Sequence, residues 1–324
     1  MGLLTRLNPF KPKEITLEED LYGYDRITYK VRFSLVGPVG AGKSSLAAAL
    51  VVSAATMSSQ LKDFYCRVLP KSSTIMKDAN NLRAGRFPPK TDPFTSVAPE
   101  AGLIIGQGSQ GINKDNKVMQ VPICDVGGEI YDVLAIRRPT EQQYQRIQNI
   151  NRNVVNHIRD SQGFIITVPA PEAIIFRTDY LANDSDSYLY TIMSQVMDHK
   201  RYTNTKIEGI GIWITKWDQA MEKAKALNMD IYADDGGRSI ERFLVNGFPN
   251  LSMLLKPLRD AGKVRYFRSY FQLARRDDGT VDKWPDGEPK IAIVEDPTDK
   301  ILFKPKFAEQ ESVNFIKWAA SFAK

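Results

Sequence analysis

The stretch Gly37-Pro38-Val39-Gly40-Ala41-Gly42-Lys43-Ser44-Ser45 constrains this chain more than any other. It satisfies G-x-x-x-x-G-K-[ST], follows the apolar run RFSLV and precedes the helix-forming run SLAAALV. Glycines at this spacing let the backbone curl so that successive N–H groups point at phosphate oxygens, and the helix start adds its partial positive charge. In such a loop the backbone from Gly37 to Gly42 cradles phosphate, Lys43 reaches the β- and γ-phosphates of a nucleotide, and the Ser44 hydroxyl takes a Mg²⁺ position, with Ser45 beside it. The pattern predicts a strand, a phosphate-binding loop and a helix in that order.

Two further loops fit the same end of a sheet. After the strand-like run VMQVPIC comes Asp125-Val126-Gly127-Gly128-Glu129, where an aspartate can hold Mg²⁺ through water and Gly128 can offer its N–H to a γ-phosphate. Further on, GIWITKWD carries an apolar strand into Thr215, Lys216, Trp217 and Asp218. Burying either charge without a partner costs several kcal/mol, which directs both to a loop or a ligand. Asp218 there would accept hydrogen bonds from guanine N1–H and N2–H₂, a donor pair that adenine lacks, while the Lys216 stem lies along the base.

β-rich runs recur at 27–36, 101–105, 117–124, 163–168, 207–215 and 263–271, with helical stretches at 44–59, 140–159, 187–199 and 240–260. The alternation predicts an α/β fold with a mainly parallel sheet covered on both faces. Residues 101–124 break the rhythm, because GQGSQGINKDN is too short for a crossover helix and predicts an antiparallel hairpin at the sheet edge. Its Gly106, Gly108 and Gly111 match G-x-G-x-x-G but open no helix, so they are turn glycines. Insertions fall near 60–100, 170–186 and 275–305, and the C-terminal AEQESVNFIKWAASFAK predicts a last amphipathic helix.

Composition excludes several classes. An apolar share of 43% and a charged share of 25% are those of a water-soluble globular chain, and no apolar run reaches membrane-spanning length. A net charge of +6 spread along 324 residues gives no basic patch, so nucleic acid is not an expected partner. Two isolated cysteines, Cys66 and Cys124, and two histidines argue against a disulfide framework or a zinc site and fit a cytoplasmic setting. Residues 1–25 form a tail in which Met1, Leu3, Leu4, Leu7 and Phe10 alternate with Arg6, Lys11 and Lys13. Residues 1–13 could thus lie as a short helix on an anionic surface, a peripheral contact at the inner membrane face; the alternative is a tail packed on the domain.

The order of phosphate-binding loop, DVGG and TKWD resembles the translation-factor-related GTPases, the class of the Ras and Arf small GTPases, from about residue 26 onward. Leu82-Arg83-Ala84-Gly85-Arg86-Phe87-Pro88-Pro89-Lys90-Thr91, the Gly128-Glu129 pair and the helical stretch after ITKWD are similar to the prokaryotic double-GTPase type. The resemblance implies a P-loop NTPase G domain over 26–324, with one antiparallel edge strand and insertions, binding GTP or GDP with Mg²⁺ and hydrolysing GTP. It also implies a protein effector or activator of unspecified identity. A loop after the strand KVRYFRSYF would donate an N–H to the guanine oxygen, which makes Arg268, Ser269 and Tyr270 candidates and Ser269 the best single one. Thr91, with Thr95 as the alternative, would be the switch threonine on Mg²⁺.

One departure bears on rate. Where Ras- and Arf-like proteins carry glutamine after the second-loop glycine, this chain has Glu129, whose charge faces the γ-phosphate and predicts slow turnover. Arg137 and Arg138 downstream could supply positive charge in cis, as could a partner. Two other functions stay open on the residues alone: a guanine-nucleotide-bound scaffold at a membrane that does not hydrolyse, and a P-loop ATPase in which Asp218 is incidental.

Overall fold

A computed structural model of the chain describes residues 29–30, 33–38, 40–60, 64–68, 73–89, 102–107, 118–124, 161–170, 184–226, 241, 244–245, 247–295 and 303–322. The N-terminal tail, the helix expected over 140–159 and most of the 170–186 insertion lie outside these residues.

The strands are β1 (Tyr29–Lys30), β2 (Phe33–Val36), β3 (Phe64–Val68), β4 (Gly102–Gln107), β5 (Val118–Cys124), β6 (Gly163–Pro169), β7 (Gly209–Thr215), β8 (Val264–Arg268), β9 (Ile293–Glu295) and β10 (Phe303–Pro305). The helices are α1 (Lys43–Gln60), α2 (Ser73–Arg83), α3 (Asp184–Tyr202), α4 (Trp217–Ala226), α5 (Pro249–Asp260) and α6 (Glu309–Ala320). The main sheet runs β3-β4-β5-β2-β6-β7-β8, with β1 also paired to β5. β5, β2, β6, β7 and β8 are mutually parallel. β1 and β2 keep one register on β5, with Tyr29 opposite Met119 and Phe33 opposite Ile123, as the single run expected at 27–36 requires.

Side-chain alternation assigns the two faces. Phe164, Ile166 and Val168 of β6, with Ile210, Ile212 and Ile214 of β7, pack under α3, α4 and α5. Ile165 and Trp213 point the other way and join Phe33, Leu35 and Phe267 beneath α1, α2 and α6. Strands buried on both faces read as continuous apolar runs, which is why GFIITVP and GIGIWIT show no polar alternation. α1 is apolar on every side because it is packed on every side: residues 46–52 are all buried, between the sheet, α2 and α6.

The edge differs from expectation. β4 is antiparallel to β5, as the hairpin reading required, but it is not the edge strand: β3 pairs with it, Cys66 opposite Ile105, and takes that position. The first part of the 60–100 insertion is therefore a sheet strand followed by α2, which packs on α1. FYCRV lacks a polar-apolar alternation long enough to announce itself, and its pairing with β4 is decided nearly forty residues away. Gly106 sits within β4 opposite Tyr65, a strand position and no helix start.

The described residues of the third insertion are paired too. After β8 the chain forms an antiparallel arm, pairing Leu273 with Ile291, Arg275 with Val281 and Lys283 with Pro289, while β9 pairs with β10 and Phe271 with Phe307. The turns fall at DDGT and PDGE, where Gly279 and Gly287 take φ values of 81° and 88°. Glycine meets that left-handed demand without steric cost.

Candidate functional site

The loop after β2 has the geometry its glycines predict. Gly40 and Gly42 adopt φ of 74° and 81°. That left-handed conformation costs other L-residues about 1–2 kcal/mol each. Gly37 is required for a different reason: a β-carbon there would lie 1.8 Å from Thr167 Oγ1 of the neighbouring β6. Thr167 in turn donates to the Val36 carbonyl at 3.1 Å, tying the last residue of β2 to β6. The Ala41 N–H closes the turn onto the Pro38 carbonyl, and the Leu46 N–H bonds Gly42, so α1 springs directly from the loop.

Lys43 opens α1 and is buried, with its ammonium donating to the carbonyls of Gly37 and Pro38 at 3.1 Å each. A buried ammonium demands acceptors, and here it spans the loop that it would share with phosphate. Ser44 and Ser45 occupy the first turn of the helix, both half-buried. An oxyanion beside these N–H groups would meet the helix dipole as well as the Lys43 charge.

Parallel pairing brings the loops after β2, β7 and β8 to one edge. Gly42 faces the later loop closely, since a β-carbon on it would come within 3.9 Å of Thr215 Cβ. Thr215 is buried and its hydroxyl donates to the Val168 carbonyl at 3.4 Å. Lys216 then takes φ of 53°. This is an uncommon conformation for a residue with a side chain, and strain of this kind concentrates at functional sites.

Trp217 starts α4 and is buried, with its N–H on the Ser269 carbonyl at 3.1 Å, while the Ser269 N–H bonds Ile214 at 2.8 Å. The loops after β7 and β8 are thus laced together through backbone. Asp218 sits in the first turn of α4, where its own N–H and that of Gln219 favour the charged carboxylate. Burial pushes its pKa above the usual aspartate value, outweighing those two N–H groups, and the nearby Glu222 adds to the rise. Arg268 stacks 6.0 Å from the Trp217 ring and pairs with Glu311 of α6 at 3.2 Å, bracing the same loop from behind.

Of the residues singled out from sequence, Gly37, Gly40, Ala41, Gly42, Lys43, Ser44, Ser45, Thr215, Lys216, Asp218 and Ser269 fall along this one edge. Val39, Thr91, Thr95, Asp125, Gly128, Glu129, Arg137 and Arg138 lie outside the described residues. Thr167 escapes sequence reading, and Arg268, expected there only as a candidate backbone donor, is placed by its side chain instead. Thr167 is one hydroxyl in an otherwise apolar strand, and Arg268 matters through a tryptophan and a glutamate that only folding brings near. Among the described residues no three His, Cys, Asp or Glu side chains cluster, and no helix is long and apolar enough to cross a membrane. No protein-family model matches the chain, and no curated protein matches its sequence.

Proposed function

We propose that this chain is a Mg²⁺-dependent GTP-binding protein that hydrolyses GTP slowly and acts as a molecular switch. The observation that carries the reading is the convergence of a glycine-lysine phosphate loop and an Asp218-bearing loop, Gly42 against Thr215, at the carboxyl edge of parallel strands. Open α/β sheets bind ligands at that edge. The spacing of motifs along the chain and their meeting in space are separate facts, and both favour one nucleotide held by its two ends.

In this reading the loop N–H groups and the Lys43 ammonium bind the β- and γ-phosphates, Lys43 exchanging its two carbonyl acceptors for phosphate oxygens. Ser44 supplies a hydroxyl to Mg²⁺, with Asp125 and Thr91 completing the protein's ligands. Half-buried Ser44, in the first turn of α1, stands where that hydroxyl can serve, and Mg²⁺ would neutralise charge developing between the β- and γ-phosphates. Asp218 and the Ser269 N–H read guanine, and Lys216 covers the base. Gly128 and Glu129 would meet the γ-phosphate and the attacking water, the acidic side chain slowing turnover. Order in the switch segments would then follow the γ-phosphate and recruit an effector or activator protein.

A competition titration tests this directly: labelled GDP displaced by GTP, GDP and ATP, with and without Mg²⁺. Two charge-assisted hydrogen bonds to guanine predict a preference of at least about a hundredfold over ATP. Equal competition by ATP would make Asp218 ordinary surface and turn the reading into a P-loop ATPase. Tight guanine binding with turnover far below about one per hour would favour the nucleotide-bound scaffold instead.

A further inference from the structure

Residues 271–295 and 303–307 form the arm. It closes on residues 84–87, immediately after α2, across about two hundred residues of sequence. The Gly85 carbonyl accepts two hydrogen bonds from it, from the Ile291 N–H at 2.8 Å and the Trp284 Nε1–H at 3.3 Å. Gly85 has φ of 76°, and a β-carbon there would stand 3.0 Å from the Ile291 carbonyl oxygen. Only glycine lets the two backbones meet in this way.

Side chains lock the same contact. The Arg86 guanidinium lies 4.3 Å from the Trp284 ring centre and pairs with Asp286 at 2.7 Å, while the Lys290 ammonium lies 5.0 Å from the same ring. Phe87 meets Phe271 edge to face at 5.5 Å. Phe271 in turn stands two residues after Ser269, in the loop laced to Trp217. One continuous piece of chain therefore joins the Asp218 loop to residues 84–87.

We propose that Trp284 and Arg86 are positioning residues, and that the arm is an internal clamp holding residues 84–87 in register with the guanine-reading loop. The inference rests on the switch reading, in which Thr91, four residues past Phe87, answers to the γ-phosphate. A segment that must find Mg²⁺ only when GTP is bound loses less entropy if its start is already fixed. The clamp then favours GTP over GDP without touching either.

Three variants of the full chain test it: Trp284→Ala, Trp284→Phe, which keeps a ring over Arg86 but has no indole N–H, and Asp286→Asn, which removes only the ion pair. In nucleotide-free protein, hydrogen exchange of a peptide spanning 82–89 should speed up by about tenfold in Trp284→Ala, less in Trp284→Phe and least in Asp286→Asn, with β6 and β7 unchanged. With Mg²⁺, the GTP-to-GDP affinity ratio should fall by about tenfold in Trp284→Ala while GDP affinity stays within about twofold. Unchanged exchange would overturn the clamp. Faster exchange with an unchanged ratio, or equal losses of GTP and GDP, would overturn the positioning role. A wild-type chain that binds no guanine nucleotide overturns the switch reading and the positioning role with it, and leaves the clamp to the exchange result alone.

Discussion

Replacing Asp218 with asparagine is the sharpest perturbation of the base-reading assignment. An ionised carboxylate offers about four acceptor positions, and guanine N1–H and N2–H₂ would take one on each oxygen. Asparagine turns one oxygen into an NH₂ donor, which opposes the N2 amino group of guanine but matches the C2 carbonyl of xanthine. One bond keeps its acceptor but loses its charge assistance, and the other becomes a donor facing a donor, where a charge-assisted bond is worth about 1.5–3 kcal/mol. Guanine affinity should drop by roughly two to four decades, and xanthine diphosphate should replace GDP as the preferred competitor. The readout is displacement of labelled nucleotide by GDP, xanthine diphosphate and ADP, on wild type and variant in parallel. A variant that keeps the wild-type order of the three would refute the reasoning, because no other acceptor in the assignment distinguishes guanine from xanthine.

The same carboxylate predicts a pH dependence. Burial raises its folded pKa, so protonation sets in at higher pH than the ordinary aspartate value of about 3.9, and the protonated acid loses an acceptor. The GDP-to-ADP affinity ratio should therefore fall on acidification before unpaired aspartates titrate. Because the folded pKa is raised, ionised Asp218 subtracts from stability above that pKa, and the subtraction vanishes as pH falls below the unfolded value; Asp218→Asn should melt higher than wild type at neutral pH and lose that advantage in acid. Gly37→Ala should cost about 1–3 kcal/mol in denaturant unfolding through its collision with Thr167. The Gly37→Ala/Thr167→Ala double variant should recover only part of this, since the Thr167 carbonyl, 3.0 Å from the added carbon, remains. Asp186 is buried and accepts from the Asn250 N–H, Asn250 Nδ2 and Leu251 N–H, capping α5 from α3 where Phe248 offers no side-chain cap. Asp186→Ala should cost about 2 kcal/mol or more in the same unfolding measurement.

Much of the site was legible because its parts are local. A phosphate loop needs its glycines, lysine and serine within nine consecutive residues, and both its left-handed glycines and its helix start follow from that stretch alone. The TKWD loop announced itself as charge at the end of an apolar run, and β7 ends at Thr215 as that pattern required. The helices α1, α3, α5 and α6 fall where apolar periodicity and alanine content put them, to within a few residues at most ends. The stretch expected at 240–260 is interrupted rather than shortened: residues 241, 244, 245 and 247 are helical, and a break at Phe248 precedes α5, where Pro249 suits a helix's first turn. β3 and α2 were less legible. A five-residue strand carries too little pattern to distinguish it from a loop, and its place in the sheet depends on β4.

The sequence by itself determined which residues form the phosphate loop, which strand ends carry charge, and that strands and helices alternate into a two-faced sheet. Those properties are set by bonded geometry and by periodicity over a few turns, which neighbouring residues control. Only the tertiary structure decided that Thr167 closes against Gly37, that Asp186 caps a helix 64 residues away, and that Trp284 and Asp286 hold Gly85 and Arg86 across about two hundred residues. Each of those contacts joins groups whose separation along the chain leaves no trace in local pattern. They form because the buried sheet first fixes where the loops emerge, and polar groups brought together there must then pair with one another or stay with water.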